Sequence, residues 1–242
     1  MTAVEICIDD VDGAPIAEAC GADRVEVCAA LSEGGTTPSL GLVRSVLDRV
    51  SRIGVQVLIR PRAGDFVYSP AEVDVMLADI AAVRALDAAV PVGFVVGAMT
   101  ADGGIDVDVL DRLVAAAGPC PVTFHRAFDT LPDLPWALPV LIEAGVSRVL
   151  TSGGAVTAAQ GAEVLRRLVE LAAGRIEVLA GGSVRGSNVA ALVAATGVPE
   201  VHLRAAEPVA ASSGSATAVS YDVPRLATSA GPIRAVVEAL AS

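Results

Sequence analysis

Short runs of Val, Ile and Leu recur along the chain. Each is followed by a longer stretch in which apolar residues return every three or four positions. The runs predict strands at residues 4–8, 24–28, 55–60, 92–96, 122–125, 148–152, 176–180 and 200–203. Helices are predicted near 12–20, 39–52, 70–88, 106–117, 134–144, 157–173 and 186–196, with an eighth near 224–240. Near-continuous apolar strands alternating with helices indicate parallel βαβ units whose sheet is covered by helices. A weak internal repeat supports this: Gly21-Ala-Asp-Arg-Val-Glu-Val27, Gly145-Val-Ser-Arg-Val-Leu-Thr151 and Gly197-Val-Pro-Glu-Val-His-Leu203. In each, a glycine closes a helix, two residues turn, and a strand begins. Eight such units in 242 residues fit an α/β fold, a (β/α)8 TIM barrel, as one domain. An open doubly wound sheet is the alternative, although it usually has fewer strands at this length. The Ala/Ser-rich segment 208–220 follows the last strand and reads as a mobile flap or as disorder.

Composition narrows the functions. The mean hydropathy of +0.62 would suit a membrane protein. Yet the longest uncharged runs, such as 88–101 and 186–199, reach only 14 residues and are broken by Gly or Pro. A spanning helix needs about 18–20 apolar residues, so no membrane association is expected. All 17 basic residues are Arg, against 28 acidic ones, for a net charge of −11. Without a lysine, Schiff-base and pyridoxal-phosphate chemistry and a P-loop are excluded, and no organic cofactor is expected. An acidic chain with one Trp, two Tyr and four Phe is a poor partner for nucleic acid. The four cysteines show no framework spacing and the N-terminus has no basic leader region. Reduced thiols in the cytoplasm are the expectation.

A barrel of this class works at the C-terminal ends of its strands. Those ends carry Glu5 and Cys7; Glu26 and Cys28; Arg60 followed by Arg62 and Asp65; His125 and Arg126; Ser152; Gly181, Gly182 and Ser183; and His202 with Arg204. Both histidines of the chain fall in this set. Side chains alternate along a strand, so Glu5 shares a face with Cys7, Glu26 with Cys28, and His202 with Arg204. The repeat aligns Glu26 with His202, and Cys28 with Arg204 and Ser152. Buried carboxylates need partners, and Arg60, Arg62 and Arg126 are the candidates. His125, with Glu26 or Asp65, would act as a general acid/base near neutral pH, with His202 beside Glu26. Arg60, Arg62 and Arg126 would hold an anion. The turn Gly181-Gly182-Ser183, read as opening the seventh helix, would offer backbone N–H groups to it. The alternative is a set of structural ion pairs sealing the barrel mouth.

Cys7 and Cys28 fall on adjacent strands, about 4.8 Å apart. Two thiolates there suit Cu(I); the alternative is two small buried hydrophobes. The chain resembles the CutC family in Glu5-Ile-Cys7, Gly21-Ala-Asp-Arg-Val-Glu-Val-Cys28, Glu33-Gly-Gly-Thr-Thr-Pro-Ser39, Ile59-Arg-Pro-Arg-Ala-Gly-Asp-Phe66, Thr123-Phe-His-Arg-Ala-Phe-Asp129, Leu150-Thr-Ser-Gly153 and Glu200-Val-His202. The resemblance implies a TIM barrel, a cytoplasmic homo-oligomer (dimer or tetramer) and a role in copper homeostasis. Cys7 and Cys28 match the family's proposed copper-binding positions. Departures are Ala63-Gly64 for Gly-Gly, Gly181-Gly182-Ser183 for Gly-Gly-Gly, and Leu203-Arg204 after His202. Two functions stand: Cu(I) binding through the cysteine pair, and an enzyme on a small phosphate or carboxylate. A hard metal on Glu5, Glu26 and His125 is a third.

Overall fold

The computed structural model describes residues 2–209 and 225–241. Eight parallel strands close into a barrel in chain order: β1 Ala3–Ile8, β2 Arg24–Val27, β3 Gly54–Leu58, β4 Val92–Val96, β5 Val122–Phe124, β6 Arg148–Thr151, β7 Glu177–Gly181 and β8 Glu200–Arg204. Closure is made by β1 on β8, with Glu5 opposite His202 and Cys7 opposite Arg204. On its other side β1 sets Glu5 opposite Arg24 and Cys7 opposite Glu26. The barrel is the architecture that the alternating pattern predicts. The cells between barrel and helices are filled by Phe94, Phe124, Phe128, Met76 and Leu110, all fully buried.

The helices are α1 Gly13–Ala19, α2 Leu40–Leu47, α3 Pro70–Arg84, α4 Val107–Ala117, α5 Leu134–Glu143, α6 Ala162–Ala172, α7 Val189–Thr196 and α8 Ala230–Ala241. Their starts follow side-chain caps where the sequence supplies them. Ser69 and Glu72 form a reciprocal capping box ahead of Pro70, and Ser39, Asp106 and Asp133 each cap a following N–H. Three starts lie later than the pattern predicts; α8 begins at Ala230 rather than near 224 because Arg225–Thr228 form a strand. Residues 157–161 are held as a turn by Ala158 N–H donating to Gly182 O. Residues 183–188 are held by Asn188, whose side chain accepts from Arg185 N–H and donates to Ser183 O. The glycine turn after β7 therefore does not open α7.

After β8 the chain adds a strand, β9 Ala206–Val209, paired antiparallel with β10 Arg225–Thr228. Thr228 ties this hairpin to the end of β1, donating from its N–H and its Oγ1 to Asp10. Of segment 208–220, residues 208 and 209 belong to β9 and the rest lies outside the described residues. Among the described residues no helix is long and apolar enough to cross a membrane.

Candidate functional site

The lower barrel interior is charged. Arg24, at the start of β2, bridges Glu5 at 2.5 Å and Glu200 at 2.6 Å, and Arg148 from β6 also binds Glu200. The partner of the buried Glu5 is thus Arg24, not Arg60, Arg62 or Arg126. The internal repeat held the signal for this network. Arg24, Arg148 and Glu200 occupy the same place in its three copies, each the first residue of a strand.

Above that layer lies a cavity of about 260 Å³ at the strand C-termini. On its β8–β1–β2 side stand Cys7, Glu26, Cys28 and His202. His202 Nδ1 faces Glu5 Oε1 at 2.8 Å, and its Nε2 faces Glu26 Oε2 at 3.6 Å. Cys7 Sγ, a His202 ring nitrogen and a Glu26 oxygen all lie within 4.8 Å of one another. A hard-metal set of Glu5, Glu26 and His125 does not form; Glu26 is gathered with Cys7 and His202 instead. Burial would raise the pKa of Glu5, but the His202 hydrogen bond and the Arg24 charge outweigh it and hold the carboxyl at about 2. For Glu26 burial prevails over the attraction of His202, and the group is pushed up to about 7. Burial would depress His202, yet Cys7, Glu5 and Glu26 together hold it well above its ordinary range. Burial, with Glu26 and Cys7 close by, pushes the Cys28 thiol up. Both cysteines are free, and they pack together with Leu58 and Val95.

On the β3–β5 side stand Arg60 and His125. Arg60 Nη1 donates to Gly35 O at 2.6 Å and Nη2 to Gly64 O at 2.7 Å, with its guanidinium 5.0 Å from the Phe66 ring centre. His125 Nδ1 accepts from Ala127 N–H at 3.1 Å, so the proton of the neutral ring sits on Nε2. Burial, helped by the Arg60 charge, pushes His125 down to about 3. The sequence predicts a group titrating near neutrality; the structure gives a neutral N–H donor. The ring lies 4.8 Å from Phe66 and against Gly97, where any Cβ would run into it. Two buried nitrogens here, Arg60 Nε and His125 Nε2, have no protein partner.

The remaining predicted residues lie elsewhere. Arg62 turns outward to Glu72 at 2.5 Å and Asp65 at 2.9 Å. Asp65 is thereby an exposed partner of Arg62, not of His125. Arg126 reaches the cavity, but its Nε is held by Asp129 at 2.8 Å and its Nη2 donates to Ser152 Oγ at 2.9 Å. Ser152 is buried and donates to Ala155 O. Gly181, Gly182 and Ser183 do not line the cavity. Gly182 has a φ of +108° and is packed on Ser152, so the turn after β7 rests on the loop after β6. Sequence reasoning gave Asp129 no role of its own, yet it accepts from the N–H groups of Ser152 and Gly154 and fixes the loop after β6.

Residues 2–207 match the family model described as the CutC family. The human copper homeostasis protein cutC homolog is 46% identical over 202 residues, 84% of this chain and 72% of that protein. A CutC family protein of Pasteurella multocida is 45% identical over 200 residues, covering 83% and 80% of the two chains. The solved CutC structure of Streptococcus agalactiae superposes with a TM-score of 0.78 at 32% identity, over 84% of this chain and 98% of that one. The chain belongs to the CutC family.

Proposed function

We propose that the protein handles copper in the cytoplasm, binding Cu(I) as cargo at the β8–β1–β2 side of the barrel mouth through Cys7 and Cys28. The observation that carries this reading is the donor set: two free thiols in one buried cluster, with a His202 ring nitrogen within 4.8 Å of the Cys7 sulfur. Thiolate and imidazole are the donors Cu(I) prefers. His202 is oriented by the Glu5 carboxylate on its other nitrogen, as metal-binding imidazoles usually are. The copper homeostasis name of the human relative agrees. Because the Cys28 thiol is held protonated and His202 is held as an imidazolium, each gives up a proton when it ligates Cu(I), and binding tightens as pH rises. Titration against a competing Cu(I) chelator tests this. Cys7→Ser/Cys28→Ser should lose affinity by more than the roughly 10–100-fold typical of an outer-shell change. Unchanged affinity in the folded double variant would sink the thiolate site.

A second reading, an enzyme working by proton transfer on a small anionic metabolite, is favoured by Glu26. A buried carboxyl pushed up to about 7 beside a cavity can take or give a proton near neutral pH. Incubation of small hydroxy and keto acids in D2O is the test. Deuterium incorporation that disappears in Glu26→Gln supports it; no incorporation with any acid removes it.

A further inference from the structure

We propose that Arg60 and His125 form a binding site for the carboxylate of a small organic acid. This inference names the ligand class for the second reading above and rests on it only for turnover; as a binding site it stands alone.

The geometry starts from charge. Arg60 is buried, and among the described residues no carboxylate pairs with it. Its neighbours are the carbonyls of Glu33, Gly35 and Gly64, the face of Phe66 and the hydroxyl of Tyr68. A buried cation held only by dipoles keeps most of its charge uncompensated. The interior network shows what the same chain does elsewhere, where Arg24 and Arg148 are each matched to buried carboxylates. Arg60 Nε is buried and without a protein partner, as are His125 Nε2 and Arg204 Nε on two other cavity-lining residues, and the Phe66 ring packs against both Arg60 and His125. With Ala127 N–H on its Nδ1, His125 presents a neutral N–H donor, positioned between Phe66 and Gly97.

Together the pair offers two donors and one positive charge. A carboxylate has two acceptor oxygens and one negative charge, so it matches both counts. A phosphate dianion asks for more. Arg126 is already held by Asp129, and the Gly181–Ser183 turn is off the cavity. Arg204, also on the wall, is paired with Asp9 at 3.4 Å, and His202 and Glu26 answer each other; the apolar part of the wall is Leu31, Leu58, Phe66 and Leu150. At about 260 Å³ the cavity is at or below the lower end of ordinary ligand pockets, which run to roughly 300 Å³ and more. A short acid with a small apolar body fits those limits.

The test is binding, read on the two donors. In side-chain ¹H–¹⁵N spectra of the full chain, the Arg60 Nε–H and His125 Nε2–H signals should move saturably with glycolate and not with sodium chloride at equal ionic strength. Glycolate should also raise the melting temperature, and Arg60→Gln should abolish the rise. His125→Gln, which keeps one donor, should weaken it. Signals unmoved by glycolate in the wild type overturn the site, whatever the variants do. A response to inorganic phosphate but not to glycolate overturns the ligand class, and a rise that survives in folded Arg60→Gln overturns the role of Arg60. Deuterium exchange is a separate readout, so a protein that binds glycolate without exchange keeps this site and loses only the catalytic reading.

Discussion

The two sides of the barrel mouth are built on opposite electrostatic plans. On the β8–β1–β2 side the buried charges are matched in a chain rising from Arg148 and Glu200 in the layer below through Arg24, Glu5 and His202 to Glu26. Arg204, whose Nε is buried without a protein partner, still has Asp9 as its counter-charge. On the β3–β5 side Arg60 and His125 are held by backbone groups and an aromatic ring, and each keeps a buried nitrogen without a protein partner. A closed network fixes side chains and tunes their proton affinities. An open one leaves donors for something outside the chain. The contrast is the reason to assign metal or proton chemistry to one side and anion binding to the other.

The largest expected effect breaks the closed side. Arg24→Ala leaves Glu5 and Glu200 buried without their shared cation. Removing one partner of a buried ion pair typically costs about 3–5 kcal/mol, and denaturant unfolding should show a loss of that order. A loss below about 1 kcal/mol would mean that the network is no more than a surface-like set of pairs.

Next comes Gly97→Ala, aimed at the open side. The added methyl would collide with the His125 ring, which also packs against Phe66 with 4.8 Å between ring centres. Overpacking of this kind costs about 1–3 kcal/mol. It should also shift the His125 Nε2–H signal while leaving Cu(I) affinity near that of the wild type. If copper affinity falls as far as in the cysteine double variant, the two sides are not separable.

The pH dependence of stability separates His125 on one side from Glu26 on the other by sign. His125 is depressed to about 3 from an ordinary 6.5, so the unfolded chain binds the extra proton between those values. Its contribution therefore makes stability fall as pH drops through that window. Glu5, at about 2 against 4.5, adds to the fall below pH 4.5. Glu26 is raised from 4.5 to about 7, so the unfolded chain loses its proton first. Its contribution makes stability fall as pH rises from 4.5 to 7. His125→Gln should flatten the acid side of the profile, whereas Glu26→Gln should steepen the gain in stability between pH 4.5 and 7. Equal profiles for the two variants would contradict the opposed environments.

How far this was legible in the sequence follows the same division. The eight strands and their parallel order can be read from apolar runs and helix-closing glycines, which are local signals. Parity along the strands brings Glu26 and His202 to one face, and the register bears that geometry out. Parity fails where the strand stops: β3 ends at Leu58, so alternation no longer governs Arg60, Arg62 and Asp65. The tautomer and low proton affinity of His125 depend on Ala127, Arg60 and burial, which no local pattern encodes. The starts of α6 and α7 are displaced by a contact between the loops after β6 and β7 and by an asparagine turn, again beyond local propensity.

Arg62 gives the smallest expected effect and the sharpest control. It stands two residues from Arg60 in the same motif, and sequence alone makes the two an anion clamp. In the fold its guanidinium is half-exposed, paired with Glu72 and Asp65 and set over Tyr68 at 5.3 Å. Exposed pairs of this kind contribute about 0–1 kcal/mol. Arg62→Ala should therefore change unfolding stability by less than that and leave the glycolate response intact, whereas Arg60→Gln abolishes it. A glycolate response lost equally in both variants would return Arg62 to the site and redraw the open side as a surface clamp rather than a buried donor pair.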